Sequence, residues 1–200
     1  METIRGKTSR IMSFDEFKKR LAGYNRILLD LGTGDGRYGH TLAAHHPDWF
    51  VIGIDACREN LHERSHAAQA NLLFLIAEAQ HLPRELNGSV SRLVINFPRG
   101  SLLEGLVTGD PLLMNALASV ASPGASLEVR LNAGALAEAG CSFESGTERA
   151  HRSLLRAGWV VDDSQPISTA ALRTFPSTWA RRLAFGRDPR AFLISGWIAR

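Results

Sequence analysis

Three observations predict an α/β fold built on a mostly parallel, Rossmann-like sheet. Short apolar runs alternate with amphipathic stretches along the chain. A glycine-rich segment, Asp30-Leu31-Gly32-Thr33-Gly34-Asp35-Gly36, follows the first long run directly. A carboxylate, Asp55, closes the next run, about 20 residues after the glycines, the spacing of a ribose-binding acid.

The elements follow in order. Residues 3–12 suit a β-hairpin turning at Gly6-Lys7. Ser13 and Glu16 have the spacing of a capping box, with a helix to about Ala22 that Gly23 ends. Ile27–Leu31 reads as a buried strand, followed by the glycine loop and a helix over Arg37–His45. Phe50–Ile54 is the second strand, Arg58–Ala68 a helix, Leu72–Ile76 the third strand and Val90–Ile95 the fourth. A helix over Asp110–Ala121, a turn at Ser122-Pro123-Gly124 and a strand over Ser126–Leu131 come next. Thr147–Ala157 is helical, Trp159–Val161 and Phe192–Ile198 are strands, and residues 162–190 join those two. That connection is too long for a plain loop, and a helix is expected over Ser177–Ala184. The whole is one domain over residues 1–200: a seven-stranded sheet with an N-terminal hairpin extension.

Composition narrows the class. The chain has 200 residues, an ordinary apolar content and two cysteines. No apolar run approaches the roughly 18–20 residues of a membrane span. The segment Met1–Arg10 is polar and basic, with no signal-peptide core. Cys57 and Cys141 form no CxxC and read as small core residues, so a reduced, cytoplasmic setting is expected. Histidines are scattered: His45 and His46 adjoin, and His62 and His66 share a helix face without further ligands, so no metal site is expected. The formal charge is only +3, but from Arg173 onward six arginines face one acid, Asp188. Arg5, Lys7 and Arg10 add a second basic end. Two basic ends suggest a nucleic-acid face; solvated surfaces without a partner are the plainer alternative.

The glycine loop discriminates between ligands. A dinucleotide site favours free backbone N–H groups at a helix start, to seat a pyrophosphate. Asp30 and Asp35 repel a phosphate but suit a cationic amino group. S-adenosylmethionine, which carries an ammonium and a sulfonium, is therefore the expected cofactor, with Gly32 and Gly34 giving close approach. Asp55, with Ala56, is placed at the ribose. Backbone near Glu78 and Ala79 is placed at the adenine. Asp35 could equally cap the following helix. These features define a class I S-adenosylmethionine-dependent methyltransferase.

Two segments face a substrate. Asn96-Phe97-Pro98-Arg99-Gly100 and Ser101 lie at the carboxyl end of the fourth strand, where open α/β sheets bind ligands. Phe175 to Arg187 sets Trp179 among arginines, which suits base stacking beside phosphates. The alternative is that Trp179, Leu183 and Phe185 form a helix's core stripe.

At these residues the chain resembles the aminoglycoside-resistance 16S rRNA methyltransferases of the KamB and NpmA type, which modify N1 of a decoding-site adenine. The likeness covers nearly the whole chain, including Ile4–Lys7, Asp30–Gly36, Gly53-Ile54-Asp55, Leu82-Pro83, Phe97-Pro98 and Phe175–Arg187. It implies that Asp30, Gly32 and Asp55 hold the cofactor. Ser177 and Trp179 are implied to border the target base, with Asn96 and Ser177 also near the cofactor. Arg182 and Arg187 are implied to grip rRNA, with Arg5, Lys7, Arg181 and Arg190 as further contacts of a 30S-binding monomer. Three departures stand out. Arg99 occupies the place of a second family tryptophan. The segment between the second and third strands is poor in lysine, with Arg58 and Arg64 only. Asp188-Pro189 interrupts the basic run. Asn96-Phe97-Pro98 also resembles the tRNA guanine-N7 methyltransferases, although their following acid, proline and tryptophan are missing. A tRNA-type or small-molecule methyltransferase, or a cofactor-binding homologue with weak or no rRNA activity, is thus the alternative. Neither a catalytic triad nor a general base is expected, because adenine N1 has a free lone pair.

Overall fold

The computed structural model describes residues 1–66 and 69–199. Its ten strands are β1 (Glu2–Arg5), β2 (Thr8–Ile11), β3 (Arg26–Leu31), β4 (Trp49–Asp55), β5 (Leu72–Ile76), β6 (Val90–Asn96), β7 (Ala121–Asn132), β8 (Trp159–Val161), β9 (Gln165–Pro166) and β10 (Ala191–Ile198). They form one sheet in the order β2-β1-β5-β4-β3-β6-β7-β10-β8, with β9 on β10. Strands β3 to β7 pair in parallel, and β10 runs antiparallel to both β7 and β8. The expected strands are all present. The hairpin extends the sheet rather than standing apart from it, because β1 pairs with β5.

The helices are α1 (Phe14–Leu21), α2 (Arg37–His45), α3 (Arg58–Leu61), α4 (Gly100–Thr108), α5 (Pro111–Val120), α6 (Ala133–Glu138), α7 (Phe143–Arg156), α8 (Thr169–Thr174) and α9 (Thr178–Gly186). Leu29, Leu31, Phe50, Ile52 and Ile54 face one side of the sheet and pack with α1, α4, α5 and α7. Leu28, Val51, Leu72, Phe74 and Val94 face the other and pack with α2. This two-residue alternation within uninterrupted apolar runs is what a sheet buried on both faces requires. A smaller cluster, Phe97, Leu172, Ala180, Leu183 and Ala191, lies under α8 and α9.

Local chemistry sets the boundaries. Ser13 Oγ accepts the Glu16 N–H and opens α1. The reciprocal half of the capping box is absent, because the Glu16 carboxylate pairs with Arg10 instead. Asp110 caps α5, with Pro111 at its first position, where a missing N–H costs nothing. The helix expected over 58–68 is a correction. It stops at Leu61, and a 3₁₀ turn follows over Arg64–His66; Ala67 and Ala68 lie outside the described residues. The hairpin competes for this segment: the Gly6 N–H donates to Ser65 Oγ at 2.8 Å. His62 and His66 therefore share no continuous helix face. Cys57 corrects the expectation of a core thiol, since it is exposed and its Sγ approaches Glu59 Oε2 at 3.3 Å.

Candidate active site

The carboxyl ends of β3, β4, β5 and β6 open onto a cavity of about 940 Å³. It lies where the chain order reverses between β3 and β6, the crevice that such sheets use for ligands. All the residues expected at the cofactor and the target base line it, from Asp30, Gly32, Gly34, Asp35, Asp55 and Ala56 through Glu78, Ala79, Asn96 and Ser101 to Phe97, Arg99, Ser177 and Trp179.

The first strand and its loop build the cofactor end. Asp30 is 1% exposed. Its Oδ2 accepts Thr33 Oγ1 at 2.5 Å and its Oδ1 accepts Asn96 Nδ2 at 3.2 Å. Burial pushes its carboxyl up to about 6, against the opposing effect of those two donors. The loop's N–H groups turn inward: Gly32 N and Thr33 N both donate to Ile54 O, at 2.8 and 2.9 Å. The Gly34 N–H donates to Asp55 Oδ2 at 2.8 Å. Gly34 has φ +58, and a side chain there would meet open space, so glycine serves conformation rather than close packing. A loop whose donors are spent on the neighbouring strand β4 has little to offer a phosphate. Asp55 Oδ1 accepts the Cys57 N–H at 2.9 Å and Asn60 Nδ2 at 3.2 Å. Two donors fill Oδ1 and one engages Oδ2, so Oδ2 keeps acceptor capacity. Glu78 lies at the start of a 3₁₀ turn over Ala79–His81 and pairs with His81 at 3.2 Å.

Of the two tasks weighed for Asp35, the structure shows the one at the helix start. Its Oδ1 accepts the Arg37 N–H at 3.1 Å at the start of α2, and its Oδ2 accepts Thr178 Oγ1 at 2.6 Å. The second bond ties the cofactor loop to α9.

The substrate end is different. After β6 the backbone turns sharply, with Phe97 at φ +54, a strained conformation for a residue before proline. The turn is held because the Phe97 N–H donates to Arg130 O at 2.8 Å and the ring is buried beneath α9. On α9, Ala180 and Leu183 supply the core stripe, while Phe185 is 68% exposed and Trp179 half-buried. Trp179 is therefore not a plain core residue. Its ring is faced by three guanidinium groups, Arg99 and Arg187 each at 4.8 Å from the centroid and Arg182 at 5.7 Å. The indole Nε1 is buried without an acceptor. Arg99 also pairs with Glu138. A base resting on Trp179, with Arg99 at the place of the second tryptophan, would lie between the two. Two stacking contacts need about 7 Å, so the guanidinium occupies that space itself.

Arg181, Arg182 and Arg187 line a second pocket of about 560 Å³ with Arg37, Thr178, Phe185 and Gly186. Arg190 is not among them, because Asp188 engages it at 2.6 Å. Arg5 and Lys7 are exposed at the hairpin tip and line neither pocket. Sequence reasoning missed Thr33, Asn60, His81 and Leu112 at the first pocket and Arg37 at the second. Only Thr33, inside the glycine motif, carried a local signal. Among the described residues, no group of three or more His, Cys, Asp or Glu residues is arranged to hold a metal. No helix among them is long and apolar enough to cross a membrane.

A mostly parallel sheet with the antiparallel β10 set between β7 and β8, and an acidic, glycine-lined cavity at its switch point, define a methyltransferase of the class I type. Comparison with known proteins sharpens this. The family described as 16S rRNA (adenine(1408)-N(1))-methyltransferase matches residues 2–198, and the chain belongs to it. The Escherichia coli 16S rRNA (adenine(1408)-N(1))-methyltransferase is 31% identical over the full length of both chains. The Streptoalloteichus hindustanus enzyme of the same name is 32% identical over 94% of each. Among solved structures, the 16S rRNA methyltransferase KamB superposes with a TM-score of 0.89, at 30% identity and full coverage of both chains. A tryptophan mutant of the Catenulisporales acidiphilia enzyme, crystallised with cosubstrate SAM, gives 0.86 at 27% identity, covering all of this chain and 97% of that one.

Proposed function

We propose that this protein transfers a methyl group from S-adenosylmethionine to N1 of the decoding-site adenine of 16S rRNA in the 30S subunit, and so confers aminoglycoside resistance. The observation that carries the reading is the polarity of the cavity: carboxylates at the strand ends, and Trp179 with its arginines at the other side. The residues fit the cofactor by their chemistry. Asp30 and Asp35 suit an ammonium, Asp55 with Ala56 a ribose, and the backbone at Glu78 and Ala79 an adenine. Asn96, Ser101 and Ser177 close the methyl-bearing end. When bound, the cofactor supplies an electrophilic methyl group on a sulfonium.

The chain's own task is positioning. The target N1 faces a helix interior in rRNA, so the base is extruded before reaction. Trp179 offers it a face, and the rigid Phe97 turn forms the floor. Arg182 and Arg187 hold the flanking phosphates, with Arg181, Arg190, Arg5 and Lys7 extending the basic face. Orientation supplies the acceleration, and no protein base is needed because N1 carries an unprotonated lone pair. The enzyme acts as a monomer of one domain, without a metal, in the cytoplasm where its substrate resides.

The test is incubation of purified protein with 30S subunits and methyl-labelled cofactor, then mapping of the modified nucleotide. Label at N1 of the decoding-site adenine is expected. Label on tRNA or on a metabolite, with none on 30S, overturns the reading.

A further inference from the structure

Arg130 joins both ends of the site, and the chemistry above gives it no part. It lies on β7 opposite Asn96 of β6 in the pairing register, its side chain 13% exposed. Its Nη1 donates to Asn96 Oδ1 at 3.1 Å and its Nη2 to Glu128 Oε2 at 2.5 Å. Glu128 Oε1 also accepts Arg92 Nη2 at 2.6 Å. The Arg130 guanidinium carbon lies 4.6 Å from the centroid of the Phe175 ring. Phe175 stacks on Tyr38 at 5.1 Å and meets Phe97 edge-on at 6.0 Å. Its carbonyl accepts the Ser177 N–H at 2.8 Å, so it seats the residue from which α9 and Trp179 spring.

Each contact has a chemical consequence. A guanidinium only donates, so the Asn96 atom facing it is the amide oxygen. The amide nitrogen is thereby turned toward Asp30. Reversed, the amide would set its oxygen against a carboxylate. Charge follows the same line. Asp30 faces Asp55 from β4, the Tyr38 hydroxyl from α2 and Arg130 from β7, while Thr33 and Asn96 donate to it. Asp55 opposes its ionisation and Arg130 supports it.

We infer that Arg130 is a positioning residue for methyl transfer: it orients Asn96 toward Asp30, balances that carboxylate's charge, and holds Phe175 beneath the arm that carries Trp179. The inference rests on Asp30 being the partner of the cofactor's ammonium.

The experiment is calorimetry with S-adenosylmethionine on the full chain, across about pH 5 to 8. Wild-type affinity should fall as pH drops through the Asp30 midpoint near 6. In Arg130→Met the midpoint should move up, with about a three- to tenfold loss of affinity near neutral pH that grows on acidification. Arg130→Lys should restore the midpoint. Glu128→Gln, which leaves Arg130 charged and unneutralised, should move it down. This variant and the lysine one keep the test alive if the methionine protein does not fold. His81, which lines the same cavity, is unchanged in every variant, so the difference in midpoint is the readout. A loss of affinity that is uniform across pH, with midpoints unmoved, marks a merely structural role and overturns the inference. A wild-type affinity flat across the range sinks the Asp30 reading and this inference with it. Unchanged midpoints beside a titrating wild type sink this inference alone.

Discussion

The two ends of the cavity are made in opposite ways. At the cofactor end, five carboxylate residues, Asp30, Asp35, Asp55, Glu63 and Glu78, line the wall. Asp30 and Asp55 sit on strands that the sheet holds from both sides. At the substrate end, the second pocket is lined by four arginines and no acid. Three of those arginines lie on or just beyond α9, a helix of nine residues within a long connection. A hydrogen bond from Thr178 to Asp35 ties α9 directly to the cofactor loop. Affinity for the small cationic cofactor is thus built from groups fixed before it arrives. The nucleic-acid face is built from long exposed side chains, suited to phosphates whose positions an RNA dictates. If the contrast is right, mutations at one end should leave binding at the other end largely intact.

The largest effect is expected at Asp30. Asp30→Asn should weaken cofactor binding by about 1.5–3 kcal/mol, the range for losing a charge-assisted hydrogen bond. The same change should make the unliganded protein more stable. The folded carboxyl titrates near 6 rather than at its ordinary 3.8, so the folded state binds the proton more tightly than the unfolded one. Its contribution therefore destabilises the fold above about pH 6, by about 3 kcal/mol. That penalty fades as pH falls from 6 toward 3.8. Thermal unfolding at neutral pH should show a higher Tm for the asparagine variant. Equal or lower stability would break the claim that burial strains this charge. Asp55→Ala should likewise weaken the cofactor in calorimetry while 30S binding stays the same.

Next comes Trp179→Ala, which removes the only aromatic face on α9 that also lines the cofactor cavity. Base–aromatic stacking is worth about 1–3 kcal/mol, so single-turnover methylation of 30S should fall about tenfold or more. Cofactor affinity should be unmoved. Smaller losses are expected from Arg182→Ala and Arg187→Ala. Each should weaken 30S binding several-fold and flatten its salt dependence by about one phosphate contact. A binding curve with unchanged salt slope would remove these arginines from the RNA face.

The smallest effect expected is a gain. Arg99 covers the Trp179 ring and is held there by Glu138. It must swing aside before a base can rest on the tryptophan. It also sets a cation beside a base that becomes cationic on methylation. Arg99→Trp should raise the rate on 30S a few-fold. Loss of modification in the folded variant would give this arginine an active role.

The two ends also differed in how much the sequence disclosed. Asp30, the glycines and Asp55 were legible because strand, turn and acid are local and fixed in spacing. The same holds for α1, α2 and α5, whose caps or periodicity are written in adjacent residues. Helices α4 and α6 left no such mark. Gly100 and Gly105 dilute the helical signal of α4. Ala133–Glu138 is apolar almost all round and shows no period. The helix over 58–68 failed through a tertiary contact, the grip of the hairpin on Ser65. At the substrate end, Trp179 and the arginines were visible as composition, but their arrangement was not. The pairing of Arg99 with Glu138 spans 39 positions. The meeting of Asn96 with Arg130 depends on the register of β6 against β7. Contacts of that kind exist only once the sheet has formed.

The placement of β10 has a consequence for how the enzyme comes into being. The strand nearest the C-terminus slots between β7 and β8, inside the sheet. Until residues 191–198 have been synthesised, β7 exposes an unpaired apolar edge, and the arm that bears Trp179 is tethered at one end only. The site is thus incomplete until β10 has been added. For a protein proposed to modify ribosomes, the emerging chain can act on no subunit before that strand has paired. A chain stopped short of Ala191 should yield no half-active fragment.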